Sequence, residues 1–242
     1  MPLTRTLILS AATVMAGGSL HAEAGEKRVF MDVGAVSALH DRGEQLARET
    51  LGFGAGVEFD VQEAIVYGAF SRILPVGDQQ AAFDDEADYT LGVAWSQHGY
   101  SADFSANWLT YPGEETEASL EMVGAVTLEA PFAPTLIGFY DADLKDWGLE
   151  FAAGPEWELG NWTLAAIGRA GFVQPSEDAA HRSYAGIELA AARPVSKSVE
   201  FGFFARADTA DEASFAHRFE NGEVTSFRNS GVAAGISFAI IR

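Results

Sequence analysis

The chain has 242 residues with 35 acidic and 15 basic side chains, a formal net charge of −20 at pH 7, and that balance argues against nucleic acid as a partner because phosphate binding needs a basic face. It has no cysteine, which excludes a disulfide framework, a thiolate metal centre and a cysteine nucleophile. Its 48% hydrophobic and 12% aromatic content is too apolar for an acidic disordered protein, and the 25 glycines disfavour helices and suit curved sheets with crowded interiors.

At the N-terminus Arg5 precedes the apolar run Leu7 to Ala16, and small residues follow. Ala22-Glu23-Ala24 matches the A-x-A cleavage pattern, with a second site after Ala22. The run falls short of the about 20 apolar residues that a membrane span needs. Residues 1–24 therefore read as a cleaved secretory signal and 25–242 as the exported chain.

The exported part divides into twelve segments of two-residue periodicity, at about 29–40, 49–61, 63–74, 86–97, 100–111, 116–129, 134–142, 146–158, 161–173, 181–193, 197–208 and 228–241. In the second, Leu51, Phe53, Ala55, Val57, Phe59 and Val61 oppose Gly52, Gly54, Gly56, Glu58 and Asp60. Alternate side chains of a strand point to opposite faces, so one face is apolar and the other carries glycine and carboxylates. Tyr89, Leu91, Val93 and Trp95 repeat the pattern, as do Tyr100, Phe104 and Trp108, and then Trp147, Leu149, Phe151, Ala153, Pro155 and Trp157 against Gly148, Glu150, Ala152, Gly154 and Glu156. Trp162 to Phe172 and Val232 to Ile240 close the series. The segments at 63–74 and 134–142 are apolar on both faces, and the pattern alone does not orient them.

Trp147 and Trp157 stand ten residues apart on one face. At roughly 3.3 Å per residue and a tilt of about 40°, that interval covers about 25 Å, the height of the apolar band on an outer-membrane barrel. Indoles favour both membrane interfaces, so Trp95, Trp108, Trp147, Trp157 and Trp162, with Tyr89, Tyr100 and Tyr111, are expected as interface girdles. Segments of this length exceed the about five or six residues usual in globular sheets and suit a tilted span.

With the N-terminus in the periplasm, the links at 41–48, 75–85, 112–115, 143–145, 174–180 and 209–227 face outward. The opposite links, at about 62, 98–99, 130–133, 159–160 and 194–196, are mostly tight. Short periplasmic turns, longer outer links and an even strand count are what a bacterial single-chain barrel requires.

Val36-Ser37-Ala38-Leu39-His40-Asp41-Arg42-Gly43-Glu44-Gln45 resembles the first hairpin of the TorF-like family of small proteobacterial porins. Asp88 to Val93 and Trp108-Leu109-Thr110-Tyr111-Pro112-Gly113 are similar to its middle, with Arg42-Gly43 and Tyr111-Pro112-Gly113 the most specific matches. The resemblance implies an exported outer-membrane barrel with a passive pore and no defined catalytic residues. One departure is the C-terminus: such barrels usually end in an aromatic residue read by the assembly machinery, and this chain ends Ile240-Ile241-Arg242 with Phe238 nearest.

The five histidines share no metal-binding spacing, and neither Gly-x-Ser-x-Gly nor a phosphate-binding loop is present. A Ser–His pair assembled from separate strands is disfavoured by so few histidines. The alternation points Glu58, Asp60, Asp88, Asp103, Glu117, Glu121, Glu129, Glu150, Glu156, Glu188 and Glu200 into the bore, with Arg72, Arg169 and Arg206. Two readings stay open: a negative field that favours cations, or internal ion pairing that fills the bore. Acidic stretches at Asp84 to Glu86, Glu114 to Glu117 and Asp208 to Glu212 are expected as solvated outer loops rather than cation sites, and none has calcium-loop spacing. The link at 209–227 is expected as a hairpin turning at Asn221-Gly222 rather than as a constriction.

The expected protein is an all-β, transmembrane, antiparallel up-and-down barrel of about twelve strands. Its expected function is passive diffusion of small solutes with a mild cation preference, without catalysis or cofactor. Its expected partners are outer-membrane lipid, small solutes or cations and the barrel-assembly machinery. A non-conducting structural barrel and a soluble periplasmic β-protein that binds an apolar ligand are the competing classes.

Overall fold

The computed structural model describes residues 27–76, 83, 85–112, 118–176, 181–220 and 223–242. The expected signal at 1–24, the acidic stretch at 114–117 and the Asn221-Gly222 turn lie outside them. The described strands are β1 (Lys27–Val36), β2 (Leu39–Asp41), β3 (Glu44–Ala47), β4 (Thr50–Val61), β5 (Ala64–Pro75), β6 (Glu86–Gln97) and β7 (Tyr100–Thr110). They continue with β8 (Ala118–Leu128), β9 (Thr135–Asp141), β10 (Trp147–Ala153), β11 (Glu156–Leu159), β12 (Trp162–Gln174) and β13 (Arg182–Pro194). β14 (Val199–Ala210), β15 (Phe215–Glu220), β16 (Glu223–Arg228) and β17 (Ser230–Ile241) complete the chain.

The long strands pair antiparallel with their neighbours in the ring, and β1 pairs with β17, so the sheet closes on itself. Closure runs to the last residue: Val29 and Arg242 exchange backbone hydrogen bonds of 2.6 and 2.9 Å. β10 and β11 both pair with β12 and form one interrupted stave, which makes a twelve-stave barrel. The interruption is at Gly154-Pro155. Proline has no N–H for the ladder, and a Cβ on Gly154 would stand 1.9 Å from the Ala166 carbonyl oxygen. The register of β12 nevertheless continues across it, with Trp147 opposite Gln174 and Trp157 opposite Leu164.

The polarity of the wall is inverted relative to a water-soluble sheet. On β13, Ile187 and Leu189 are 55% and 56% exposed, while Glu188 between them is 2% exposed. Val29, Met31, Val33, Leu91, Val232 and Ile236 are likewise exposed on the outer face. A continuous apolar exterior of this extent is not stable in water. A closed barrel satisfies every wall N–H and C=O within the sheet, so it can stand in lipid. Among the described residues no helix is long and apolar enough to cross a membrane; the crossing elements are strands. The buried apolar residues lie inside the bore, where Val123, Ala125, Ile137, Phe139, Val173, Tyr184, Ala210 and Phe215 form one cluster.

The two segments that the pattern left unoriented are now resolved. Tyr67 and Ile73 of β5 face inward, and so do Ile137 and Phe139 of β9, with Val66, Leu136 and Tyr140 outward. Arg72 is thereby corrected. It lies opposite outward-facing Phe53 and points out of the barrel, 40% exposed, in an ion pair with Asp85.

Candidate channel lumen and its inserted hairpin

Residues 37–49 join β1 to β4; the alternation carries the first strand on to about residue 40 and places 41–48 as a plain outer link. The structure corrects this: the link forms the β2–β3 hairpin, which turns into the mouth of the barrel. Its contacts reach right round the wall. Leu39 and Ala47 pack with Ile73 of β5, Arg42 meets Glu121 of β8 and Phe139 of β9, Gly43 abuts Tyr184 of β13, and His40 pairs with Asp208 of β14. Only a segment inside the ring touches staves so far apart in the strand order.

The tip, Asp41-Arg42-Gly43-Glu44, has φ of +43° at Arg42 and +78° at Gly43. Positive φ at both central residues is the geometry of a type I′ turn, whose first position favours Asn, Asp or Gly. Glycine takes its place freely, and a Cβ there would stand 2.5 Å from the Tyr184 Cβ. Arginine in the left-handed region costs roughly 1–2 kcal/mol. Its side chain offsets this: the guanidinium carbon lies 3.7 Å above the centroid of Phe139, and Nη1 donates to Glu121. Further ties hold the hairpin. Arg182 Nε donates to the Arg42 carbonyl at 3.0 Å and its Nη1 pairs with Glu44 at 2.8 Å. Ser214 Oγ donates to the Gly43 carbonyl at 2.6 Å.

Below the tip, His40 Nδ1 lies 2.8 Å from Asp208 Oδ2. Arg206 Nε and Nη2 donate to the same carboxylate at 2.8 and 2.9 Å. Asp208, expected in a solvated outer cluster, is corrected to a buried member of this network because β14 carries it inside before the loop begins. Among the described residues the His40 Nε2 has no hydrogen-bond partner, and the ring meets Phe215 edge-on at 5.0 Å.

The other inward candidates are placed as follows. Glu58 pairs with Arg28 at 2.8 Å, and Tyr67 donates to Asp103 at 2.8 Å. Tyr184 donates to Glu150 at 3.0 Å, and Arg169 pairs with Glu188 at 3.0 Å. Glu200 is half-buried on β14 and lies opposite Ala239. Glu129 is corrected: β8 ends at Leu128, and the Glu129 carboxylate accepts the Gly99 N–H in an exposed turn. Glu156 is exposed on β11. Glu86, expected in an outer loop, is buried beside Tyr111. Tyr111 is corrected as well. It follows the end of β7 and packs on Phe83 in the hairpin's apolar cluster, not on the outer face. Burial there, with Glu86 and Asp88 close by, pushes its hydroxyl above the ordinary value.

The outer face carries two aromatic bands. Toward the hairpin end Phe53, Phe70 and Tyr89 stack across β4 to β6 at 6.0 and 5.3 Å, and Trp108 lies opposite Tyr89. In the same band Trp147 meets Phe172 at 5.3 Å. Toward the end that holds Lys27 and Arg242, Trp162 meets Phe203 at 5.7 Å and Phe201 meets Phe238 at 5.1 Å. Trp157 is exposed and Trp95 half-buried in that second band.

A closed, antiparallel, even-numbered barrel with an apolar exterior, whose first and last described strands begin and end at one rim, is an outer-membrane β-barrel. No family model matches the chain, and no curated protein matches it. Among solved structures it is similar to the COG4313 outer membrane channel from Pseudomonas putida F1, with a TM-score of 0.55 at 10% identity over 95% of this chain and 100% of that one. A bacterial polysaccharide outer membrane secretin gives a TM-score of 0.45 at 8% identity, over 91% of this chain and 99% of that one. OmpT of Vibrio cholerae gives 0.41 at 8%, over 92% and 99%. These likenesses extend to fold alone.

Proposed function

We propose that this barrel is a passive channel for small solutes with a preference for cations, exported by a signal at residues 1–24 and related to the TorF-like porins. One observation carries the reading. Several inward carboxylates are held by hydroxyls and amides rather than by cations of the described residues. Asp88 accepts from Ser71, Asp141 from Ser119 and two backbone amides, and Glu150 from Tyr184. Asp88, Asp141, Glu150 and Glu200 form no ion pair with another described residue, and they are the groups to which the proposal assigns the field. A wall of one charge sign raises the local concentration of counter-ions. Glu58, Glu121, Glu188, Arg169 and Arg206 are instead paired, and they tune that field rather than set it. The solute path, the interface role of Trp95, Trp108, Trp147, Trp157 and Trp162, and insertion by the barrel-assembly machinery belong to the same proposal. The outer membrane channel of Pseudomonas putida F1, which shares the fold, agrees with it.

The inserted hairpin favours a second reading, a barrel closed at rest. Planar-bilayer conductance under a KCl gradient tests both, on the wild type and on a variant with residues 38–48 replaced by a Gly-Ser link. Cation-selective steps in both variants support the open channel. Steps only in the shortened variant mean that the hairpin closes it. Silence from both, in protein shown to be folded by heat-modifiable migration, would refute conduction.

A further inference from the structure

We propose that Glu121 and the face of Phe139 form a binding site for organic cations of the guanidinium class, filled at rest by the side chain of Arg42. The use of such a site in solute passage rests on the channel reading above; its existence does not.

The guanidinium of Arg42 is held in the way that a free guanidinium would be held. It lies over an aromatic ring, with its carbon 3.7 Å from the centroid, and donates to a carboxylate. Both halves of the receptor belong to the wall. Glu121 sits on β8 and Phe139 on the adjacent β9, with Val123, Ala125 and Ile137 packed alongside. Neither depends on the hairpin for its backbone position. Removing the Arg42 side chain therefore leaves a carboxylate and a ring, spaced for the same group, in a preformed wall.

The surrounding charge favours a cation and not a second anion. Asp41, Glu86, Asp88 and Asp141 lie around the site; Asp88 is 3% exposed and its Oδ1 has no hydrogen-bond partner among the described residues. The chemistry selects a planar organic cation over a metal ion. Among the described residues no group of three or more His, Asp or Glu side chains is placed to hold a metal, whereas a ring face and one carboxylate complement a guanidinium. The turn points the same way. A residue held in a sparsely populated backbone conformation is a signal of function, and Arg42 occupies a position that Asn or Gly would fill without strain. The hairpin thus presents a tethered ligand, and a solute carrying the same group competes with it for the wall.

The test is ligand-observed NMR on the refolded full chain, titrated with ethylguanidinium chloride against NaCl at equal ionic strength. Arg42→Gly suits the left-handed turn and empties the site; Arg42→Asn is a second turn-compatible variant if the first does not fold. The expected result is at least tenfold tighter binding to either variant than to the wild type, where Arg42 competes. Adding Glu121→Gln should weaken binding at least tenfold. Equal binding to all three proteins would mean diffuse attraction to acidic surface and would overturn the site, as would no binding to a folded Arg42→Gly barrel. Binding is read without conduction. A barrel that binds ethylguanidinium but stays silent in bilayers refutes the channel and keeps the site, and one that conducts without binding does the reverse.

Discussion

Replacing Arg169 by methionine should be among the most damaging changes available inside the barrel, and the damage should be reversible by a second substitution. Arg169 on β12 donates from Nη2 to Glu188 of β13 at 3.0 Å, and the two side chains are 7% and 2% exposed. At that separation and an effective dielectric near 20, the attraction is about 5 kcal/mol. Methionine keeps much of the volume and leaves the carboxylate buried without its cation, for an expected loss of roughly 3–5 kcal/mol. The pair is not fully satisfied, because Arg169 Nε has no hydrogen-bond partner among the described residues. Its worth against an apolar pair is therefore small, and Arg169→Met with Glu188→Leu should return to within about 1 kcal/mol of the wild type. Urea unfolding in detergent, followed by the change in gel migration between folded and unfolded barrel, reads all three proteins. A single variant as stable as the wild type, or a double variant as weak as the single, would refute the reasoning that an uncompensated charge dominates.

Phe151→Arg places a cation on the outer face midway between Trp147 and Trp157, and should cost about 2–4 kcal/mol of membrane stability. Insertion into vesicles at wild-type yield would mean that the face is not lipid-exposed. Gly43→Ala forces a Cβ against Tyr184 at 2.5 Å and strains a φ of +78°, so it should dislodge the hairpin tip and enlarge the single-channel step; an unchanged step would show that the hairpin does not narrow the path. Asp88→Asn and Glu150→Gln should each move the reversal potential under a KCl gradient toward zero without lowering conductance severely. No movement in either variant would remove these carboxylates from the ion path.

The twelve strands and most of their facing are legible in the sequence because both depend on neighbouring residues alone. The period of two is a property of the extended backbone, so Leu149 and Glu150 are assigned to opposite faces without knowledge of any partner strand. Where both faces are apolar that signal vanishes, which is why the alternation points Arg72 inward although it lies outward. The hairpin at 39–47 carries a turn-like Asp-Arg-Gly, but a segment that short reads equally as an exposed loop. Its destination depends on what the ring brings within reach: Glu121 from 79 positions later in the chain, Asp208 from 168 positions beyond His40. The sequence by itself determined the strands, their alternation, the aromatic intervals and the end at which the long links gather. Only the closed tertiary structure decided that one of those links turns inward, because closure creates an interior lined by residues distant in sequence, and the contacts that hold a segment there exist only once the ring is complete.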